Sequence, residues 1–199
     1  MFLFTFVFEA NEHIQQNNLN DIDEDLIKRI GNDDMEALDI FYCDTERILY
    51  AYILALSKNH DMTIDIMQDT YIKLISASHL YKPMGKPLAW LFTIAKNLYY
   101  TKIKTVSRET NLEAIGVSGE STLSQITDLE DKMVLEEVMR ILTEEERQIV
   151  ILYAVSGMKH KEIAVLLDLK LSTTLSKYHR AIKKLRKNLE KRGISYDGK

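Results

Sequence analysis

Cysteine is nearly absent: the 199 residues hold one, Cys43. A single thiol excludes an internal disulfide framework and any cysteine-based zinc cluster, and it points to the reducing cytoplasm. Cys43 lies among apolar neighbours and is expected to be a small buried filler. Proline is almost as scarce, with two, and glycine counts only seven, so few positions interrupt regular structure. Leu, Ile, Lys and Glu are abundant, at 46% hydrophobic and 28% charged residues, which predicts a mostly helical globular chain. Long apolar runs are missing too. The opening MFLFTFVFEA is apolar over about eight residues, against the ~20 a bilayer span needs. It also lacks the basic region and small-residue cleavage site of a secretion signal. Alternating Phe2, Phe4, Phe6 and Phe8 would suit a strand, and no role is assigned to residues 1–20. Finally, the chain lacks a catalytic constellation. His13, His60, His79, His160 and His179 are scattered, and no HExxH, P-loop or Gly-rich phosphate motif occurs. The expectation is a protein that is not an enzyme and needs no metal or cofactor.

What the chain does have is sorted charge. The total is −4, which alone would argue against a nucleic-acid partner. Residues 1–80, however, hold 5 basic and 15 acidic side chains, whereas residues 81–108 hold 6 basic and none acidic. Residues 109–154 return to 3 basic against 11 acidic, and residues 155–192 to 11 basic against 3 acidic. Two basic blocks alternating with two acidic ones predict two anion-binding surfaces, with the acidic blocks left for solvent or a basic protein.

The stretch from Gly157 to Arg192 organises the rest. It reads as a short helix, a tight turn and a long second helix. Leu175, Tyr178, Ile182, Leu185 and Leu189 recur at 3–4 spacing along that helix, making one apolar stripe. Its other sides carry Lys177, Arg180, Lys183, Lys184, Arg186, Lys187, Lys191 and Arg192. A stripe that must pack, backed by a surface that must meet anions, suits a helix-turn-helix recognition element. An ordinary solvated basic helix would look similar.

Taken in order, the chain first offers a polar loop to Asn20, then a helix from about Asp21 to Ile30, broken by Gly31 and Asn32. Asp33 or Asp34 caps a longer helix carrying Leu38, Phe41, Ile48, Tyr52 and Leu56. Thr63 is the expected cap of a third, packed through Ile66, Met67, Tyr71, Leu74 and Ile75. Asp65, Gln68 and Asp69 share its second side. Those carboxylates fit a solvated face, a docking surface for a basic partner, or an acid/base or metal pair that no ligand-spaced His supports. His79–Leu88 holds both prolines and reads as a loop. A fourth helix from about Leu88 to Lys104 buries Leu91, Ile94, Ala95 and Leu98, and interleaves Trp90, Tyr99 and Tyr100 with Lys96, Asn97, Lys102 and Lys104. Aromatics among bases suit single-stranded nucleic acid, since bases stack on rings while lysines follow phosphates. The same rings would also serve as core. Residues 105–128 lose periodicity and read as a flexible linker. A helix over about 129–142 follows, then a T-x-x-E capping box at Thr143 and Glu146. The fold class is therefore all-α: two small helical domains, residues 21–104 and 129–192, joined by that linker, with a tail over 193–199 and the helix-turn-helix in the second.

Four blocks carry a resemblance: DIMQDTYIKL (Asp65–Leu74), PLAWLFTIAKNL (Pro87–Leu98), LTEEERQIVIL (Leu142–Leu152) and GMKHKEIAVLL with STTLSKYHRAIKKLRK. In this order they resemble the bacterial RNA polymerase sigma factors of the extracytoplasmic-function (ECF) type, over roughly Asp21 to Arg192. The resemblance implies that Asp65, Gln68, Asp69 and Thr70 dock on core RNA polymerase. It implies that the loop and fourth helix, through Lys82, Lys86, Trp90, Lys96, Asn97, Tyr100 and Lys104, read the −10 promoter element and hold its melted strand. The last helix would enter the major groove at the −35 element, with Ser172, Thr173, Ser176, Lys177, His179, Arg180, Lys183 and Lys184 as contacts. Core polymerase and promoter DNA are the implied partners, an anti-sigma factor a further one. The family usually has Gly in the helix-turn-helix turn, where this chain has Asp168. Lys170 stands where the family often has a Ser cap, and Thr173-Thr174 where it has Thr-Val, so the recognition helix is expected to start near Ser172. The alternative is a stand-alone helix-turn-helix regulator binding duplex operator DNA. Such a protein would have no use for the Asp65–Thr70 face or the aromatic–basic helix.

Overall fold

The computed structural model describes residues 22–83, 85–109 and 140–191. Among them every regular element is helical, and they fall into two units. The expected N-terminal strand, the linker beyond Glu109 and nearly all of the helix expected over 129–142 lie outside the described residues.

The first unit contains α1 (Asp25–Ile30), α2 (Met35–Ser57), α3 (His60–Ala77), a 3-10 turn (Ser78–Leu80) and α4 (Pro87–Glu109). α1 begins later than Asp21 because Asp23 turns the chain first, its Oδ1 accepting from the Asp25 N–H at 2.9 Å. Its exit differs as well. Gly31 stays right-handed at φ −64°, and the left-handed residue is Asp33 at φ 62°. The Asp33 N–H reaches Ile30 O and the Asp34 N–H reaches Arg29 O, both at 3.1 Å, closing a Schellman turn. Gly31 serves proximity instead. A Cβ there would stand 3.1 Å from Ser78 Oγ, so α1 rests hard against the 3-10 turn. Asp34 then caps α2 by accepting from the Ala37 N–H at 3.1 Å.

α1, α3 and α4 all pack on α2, which explains its broad buried surface of Phe41, Ile48, Leu49, Tyr52, Ile53 and Leu56. Each such side chain contributes roughly 1.5–3 kcal/mol by leaving water. Cys43 corrects the sequence reading. It is exposed, because it falls on the outer side of α2 with Asp39, Ile40 and Arg47 at helical spacing. α3 starts a full turn before Thr63, capped by Asn59, whose side chain accepts from the Met62 N–H at 2.9 Å. Thr63 sits buried in the first turn and donates to Asn59 O at 2.7 Å. Ile75 is exposed rather than packed. α4 buries Leu88, Leu91, Phe92, Ala95 and Tyr99, with Ile94 and Leu98 half-buried. Phe92 lies 4.9 Å from the Tyr52 ring, and the Tyr99 hydroxyl donates to Leu56 O at 3.1 Å, locking α4 to α2. With no Gly or Pro between Lys104 and Glu109, the helix runs on to Glu109.

The second unit contains α5 (Glu144–Ala154), α6 (His160–Leu167) and α7 (Leu171–Lys191). Thr143 and Glu146 form the expected capping box at the start of α5. Gly157, at φ 66°, turns the chain after α5 while the Met158 N–H closes on Leu152 O at 3.1 Å. α6 ends on Asp168 in the left-handed conformation, φ 56° and ψ 45°. The Leu169 N–H reaches Ala164 O at 2.8 Å and the Asp168 N–H reaches Val165 O at 3.3 Å, a second Schellman turn made without glycine. α7 packs across α5 and α6 through Thr174, Tyr178, Ala181, Ile182 and Leu185, all buried.

Candidate nucleic-acid interface

On α3 the burial of Ile66, Met67, Tyr71 and Leu74 turns Asp65, Gln68 and Asp69 to solvent. Thr70 is not with them. It is fully buried and donates to Ile66 O at 2.6 Å, so its hydroxyl is used up within the helix and it is withdrawn from the surface set. Sequence reasoning missed what joins the acidic residues: Ile72, 65% exposed, with Ile75 and, beyond the helix end, Leu80. Nothing in the 3.6-residue pattern separates Ile72 and Ile75 from core positions, since each directly follows an apolar neighbour, Tyr71 and Leu74. Asp65 also reaches across to α4, where the Lys102 ammonium lies 2.9 Å from its Oδ2.

On α4, at 100° per residue, Trp90, Thr93, Asn97, Tyr100 and Lys104 fall within about 80° of one another. Asn97, Tyr100 and Lys104 are exposed on this side, and Trp90 is half-buried against Tyr81, ring centroids 5.1 Å apart. Thr93, also exposed and unforeseen, donates to Ala89 O at 2.7 Å. Tyr99 belongs to the core, its edge meeting the Tyr100 ring at 5.1 Å. Lys96 flanks the stripe half-buried. Ahead of the helix, Lys82 and Lys86 are exposed on the loop, whose Gly85 N–H donates to Glu24 Oε2 at 2.9 Å.

In the second unit, Ser172, Ser176, His179, Arg180 and Lys183 lie exposed along one side of α7, with Thr173 half-buried beside them. The Arg180 Nε–H donates to Ser176 O at 3.3 Å, which lays the guanidinium along the helix. Two lysines of the expected set are engaged with acidic residues of α5. Lys177 Nζ is 2.5 Å from Glu145 Oε2. Lys184 Nζ donates to both oxygens of Glu146, at 2.9 and 2.7 Å. Burial works against the Glu146 carboxylate, but the Lys184 ammonium and the hydrogen bonds of the Thr143 cap outweigh it and hold its pKa below the ordinary carboxylate value. Lys184 is thus a tie between α7 and the start of α5, and it is removed from the DNA-facing set. His160 stacks on Tyr153 at 4.2 Å and meets Tyr178 at 4.6 Å, joining all three helices. Burial, and then the positive charge of His179, lower its pKa. Among the described residues no group of three or more His, Cys, Asp or Glu could hold a metal ion, and no helix is long and apolar enough to cross a membrane.

Two sequence models match these units: "Sigma-70 region 2" over residues 41–109 and "Sigma-70, region 4" over residues 132–185. Together they define the class, and the chain belongs to the sigma-70 family of RNA polymerase sigma factors, in its ECF type. It is similar to the ECF RNA polymerase sigma factor EcfG of Rhodopseudomonas palustris, 28% identical over 140 residues, covering 69% of this chain and 76% of that one. It is also similar to SigX of Bacillus subtilis, 24% identical over 165 residues, covering 78% and 84%, and to SigK of Mycobacterium bovis, 25% identical over 174 residues, covering 83% and 92%. The fold matches CnrH, solved in complex with the cytosolic domain of CnrY (TM-score 0.60, 20% identity, 85% of this chain and 98% of that one). It matches equally RpoE, solved with the anti-sigma factor NepR from Bartonella quintana (TM-score 0.59, 24% identity, 75% and 96%).

Proposed function

We propose that this chain is a dissociable, cytoplasmic and non-catalytic promoter-specificity subunit. It binds core RNA polymerase through the first unit, directs it to promoters and helps open them. The observation that carries the reading is that one unit bears an acidic–apolar face on α3 and an aromatic–basic stripe on α4, while a separate unit bears a helix-turn-helix. A duplex operator binder needs only the last of these. Asp65, Gln68 and Asp69, with Ile72 between them, form the polymerase-facing set. Lys82, Lys86, Trp90, Lys96, Asn97, Tyr100 and Lys104 meet the −10 element, where aromatic rings stack on bases and cations follow the backbone. Ser172, Thr173, Ser176, His179, Arg180 and Lys183 meet the −35 element, some fixing register on phosphates and a few reaching base edges. Lys177 joins them only by leaving Glu145. Residues 21–104 and 129–192 are the corresponding domains. RpoE, a similar fold, was solved with an anti-sigma factor, and this supports such a partner here.

Run-off transcription with purified core polymerase and fragmented genomic DNA tests the reading. Transcripts that start at discrete sites and depend on the added chain are expected. A chain that leaves core polymerase unresponsive, while still shifting duplex DNA, would return the protein to the stand-alone regulators.

A further inference from the structure

We infer that Glu24, at the start of α1, is a positioning residue for promoter reading: it sets the shape of the Tyr81–Lys86 loop through the Gly85 N–H. The inference rests on the proposed role of that loop at the −10 element.

Several contacts hold the described residues of the loop. At one end the Tyr81 N–H reaches Ser78 O at 3.0 Å and the Tyr81 ring lies against Trp90. At the other the Trp90 N–H reaches Lys86 O at 3.2 Å. Between them, Gly85 is exposed, at φ 65°, and a Cβ built there would meet nothing within 4 Å. Crowding therefore does not explain the glycine. The left-handed backbone does, because that conformation is open to glycine at little cost and it turns the N–H toward Glu24. The carboxylate accepts it at 2.9 Å from a position 61 residues away in the chain.

Glu24 is itself well founded. Its carbonyl accepts the Ile27 N–H at 3.3 Å, and α1 is anchored by buried Leu26, Ile27 and Ile30. The close approach of Gly31 to Ser78 fixes α1 to the 3-10 turn from which the loop departs. So α1 holds the loop where it departs from the 3-10 turn and, through Glu24, again at Gly85 just before α4. A charge-assisted hydrogen bond to a carboxylate is stronger than a neutral one, which suits a tie that must survive in solvent. Lys82 and Lys86 flank Gly85, so where this bond holds the turn decides where two cations stand relative to a bound strand.

The test compares Glu24→Met, which keeps bulk and removes the acceptor, with Glu24→Gln, which keeps an acceptor oxygen. The full chain is used, assembled with core polymerase on a genomic-fragment library. For Glu24→Met the Gly85 amide should exchange with solvent ~5-fold faster, the loss of about one net hydrogen bond. Base preference upstream of the start sites should broaden at −10 and stay unchanged at −35, with polymerase capture unaltered. Glu24→Gln should restore most of the preference. Unchanged −10 preference in Glu24→Met, with Lys86→Ala and Trp90→Ala both altering it, overturns the role of Glu24 and leaves the loop assignment standing. If Lys86→Ala and Trp90→Ala also change nothing, the loop assignment itself fails. Equal weakening of −10 and −35 preferences in Glu24→Met and Glu24→Gln would reduce Glu24 to a general stabiliser and overturn the inference too.

Discussion

Lys184→Ala is the perturbation whose consequence follows most directly from geometry. The Glu146 side chain is 5% exposed and Lys184 45% exposed, so the substitution strands a nearly buried carboxylate beside the start of α5. The carboxylate keeps the Thr143 cap, whose N–H lies 3.1 Å from its Oε2. Stranding one partner of a fully buried pair costs about 3–5 kcal/mol, whereas an exposed pair is worth about 0–1 kcal/mol. A half-exposed ammonium lies between, and a loss of about 1–2 kcal/mol is expected. For a small helical unit that is a fall in Tm of roughly 5–10 °C. Glu146→Gln should cost less, because Gln still completes a capping box and the freed lysine extends into water. The double variant Glu146→Gln, Lys184→Met should recover much of the loss. The pH dependence has a definite sign. A carboxyl whose folded pKa is lowered adds stability that is complete above its unfolded pKa and disappears as pH falls through the folded value. Wild type should therefore lose this contribution below about pH 4.5, and Glu146→Gln should not. The chain has one tryptophan, Trp90, and it sits in the first unit. Trp fluorescence thus reports that unit alone while far-UV circular dichroism reports both. In Lys184→Ala the dichroism transition should move and the fluorescence transition should not. An unmoved dichroism transition, or equal shifts in both, would refute the reasoning.

Asp168→Val should destabilise the second unit by about 1–2 kcal/mol, since a branched side chain resists the left-handed conformation, whereas Asp168→Gly should be neutral or stabilising. Urea titration separates the two. Asp69→Lys should weaken capture of core polymerase in a pull-down and leave duplex DNA binding by the same chain intact. Thr70→Val, altering only a buried hydroxyl, should not affect capture. Trp90→Ala should reduce permanganate reactivity of melted thymines more than it reduces duplex affinity; equal losses would assign Trp90 to packing. Arg180→Ala should weaken −35 binding by about 1–3 kcal/mol if the guanidinium reads a base edge, measured by gel shift against changed sequences.

How much of this was legible in the sequence depended on whether the deciding physics was local. The capping box at Thr143 and Glu146, the left-handed turn at Asp168 and the buried α7 positions Tyr178, Ile182 and Leu185 each follow from a few neighbouring residues, and each stands where the spacing put it. Asn59 was passed over for Thr63 because both are good caps, and only the buried position of Thr63 decides between them. Cys43 and Ile75 were misread for one reason: an apolar residue inside a helix carries no mark of its side until the packing partners are known. Thr70 failed differently. Its hydroxyl looked available, but on the inner side of α3 it turns back on its own helix. Lys184 lies 38 residues from Glu146, and no pattern within a helix anticipates a tie between two. The Glu24–Gly85 bond, joining residues 61 apart in the chain, was invisible for the same reason.

The ion pair between Asp65 and Lys102 couples the charge of α3 to that of α4. With side chains 60% and 33% exposed, either partner is open to exchange. A cation arriving from outside at Asp65 frees the Lys102 ammonium of α4 for another anion. Reciprocity requires that an anion taking Lys102 leave Asp65 more attractive to a cation by the same free energy, on the order of 0.5 kcal/mol for so exposed a pair. Charge arriving at one helix thus adjusts the other slightly, without any part of the backbone having to move.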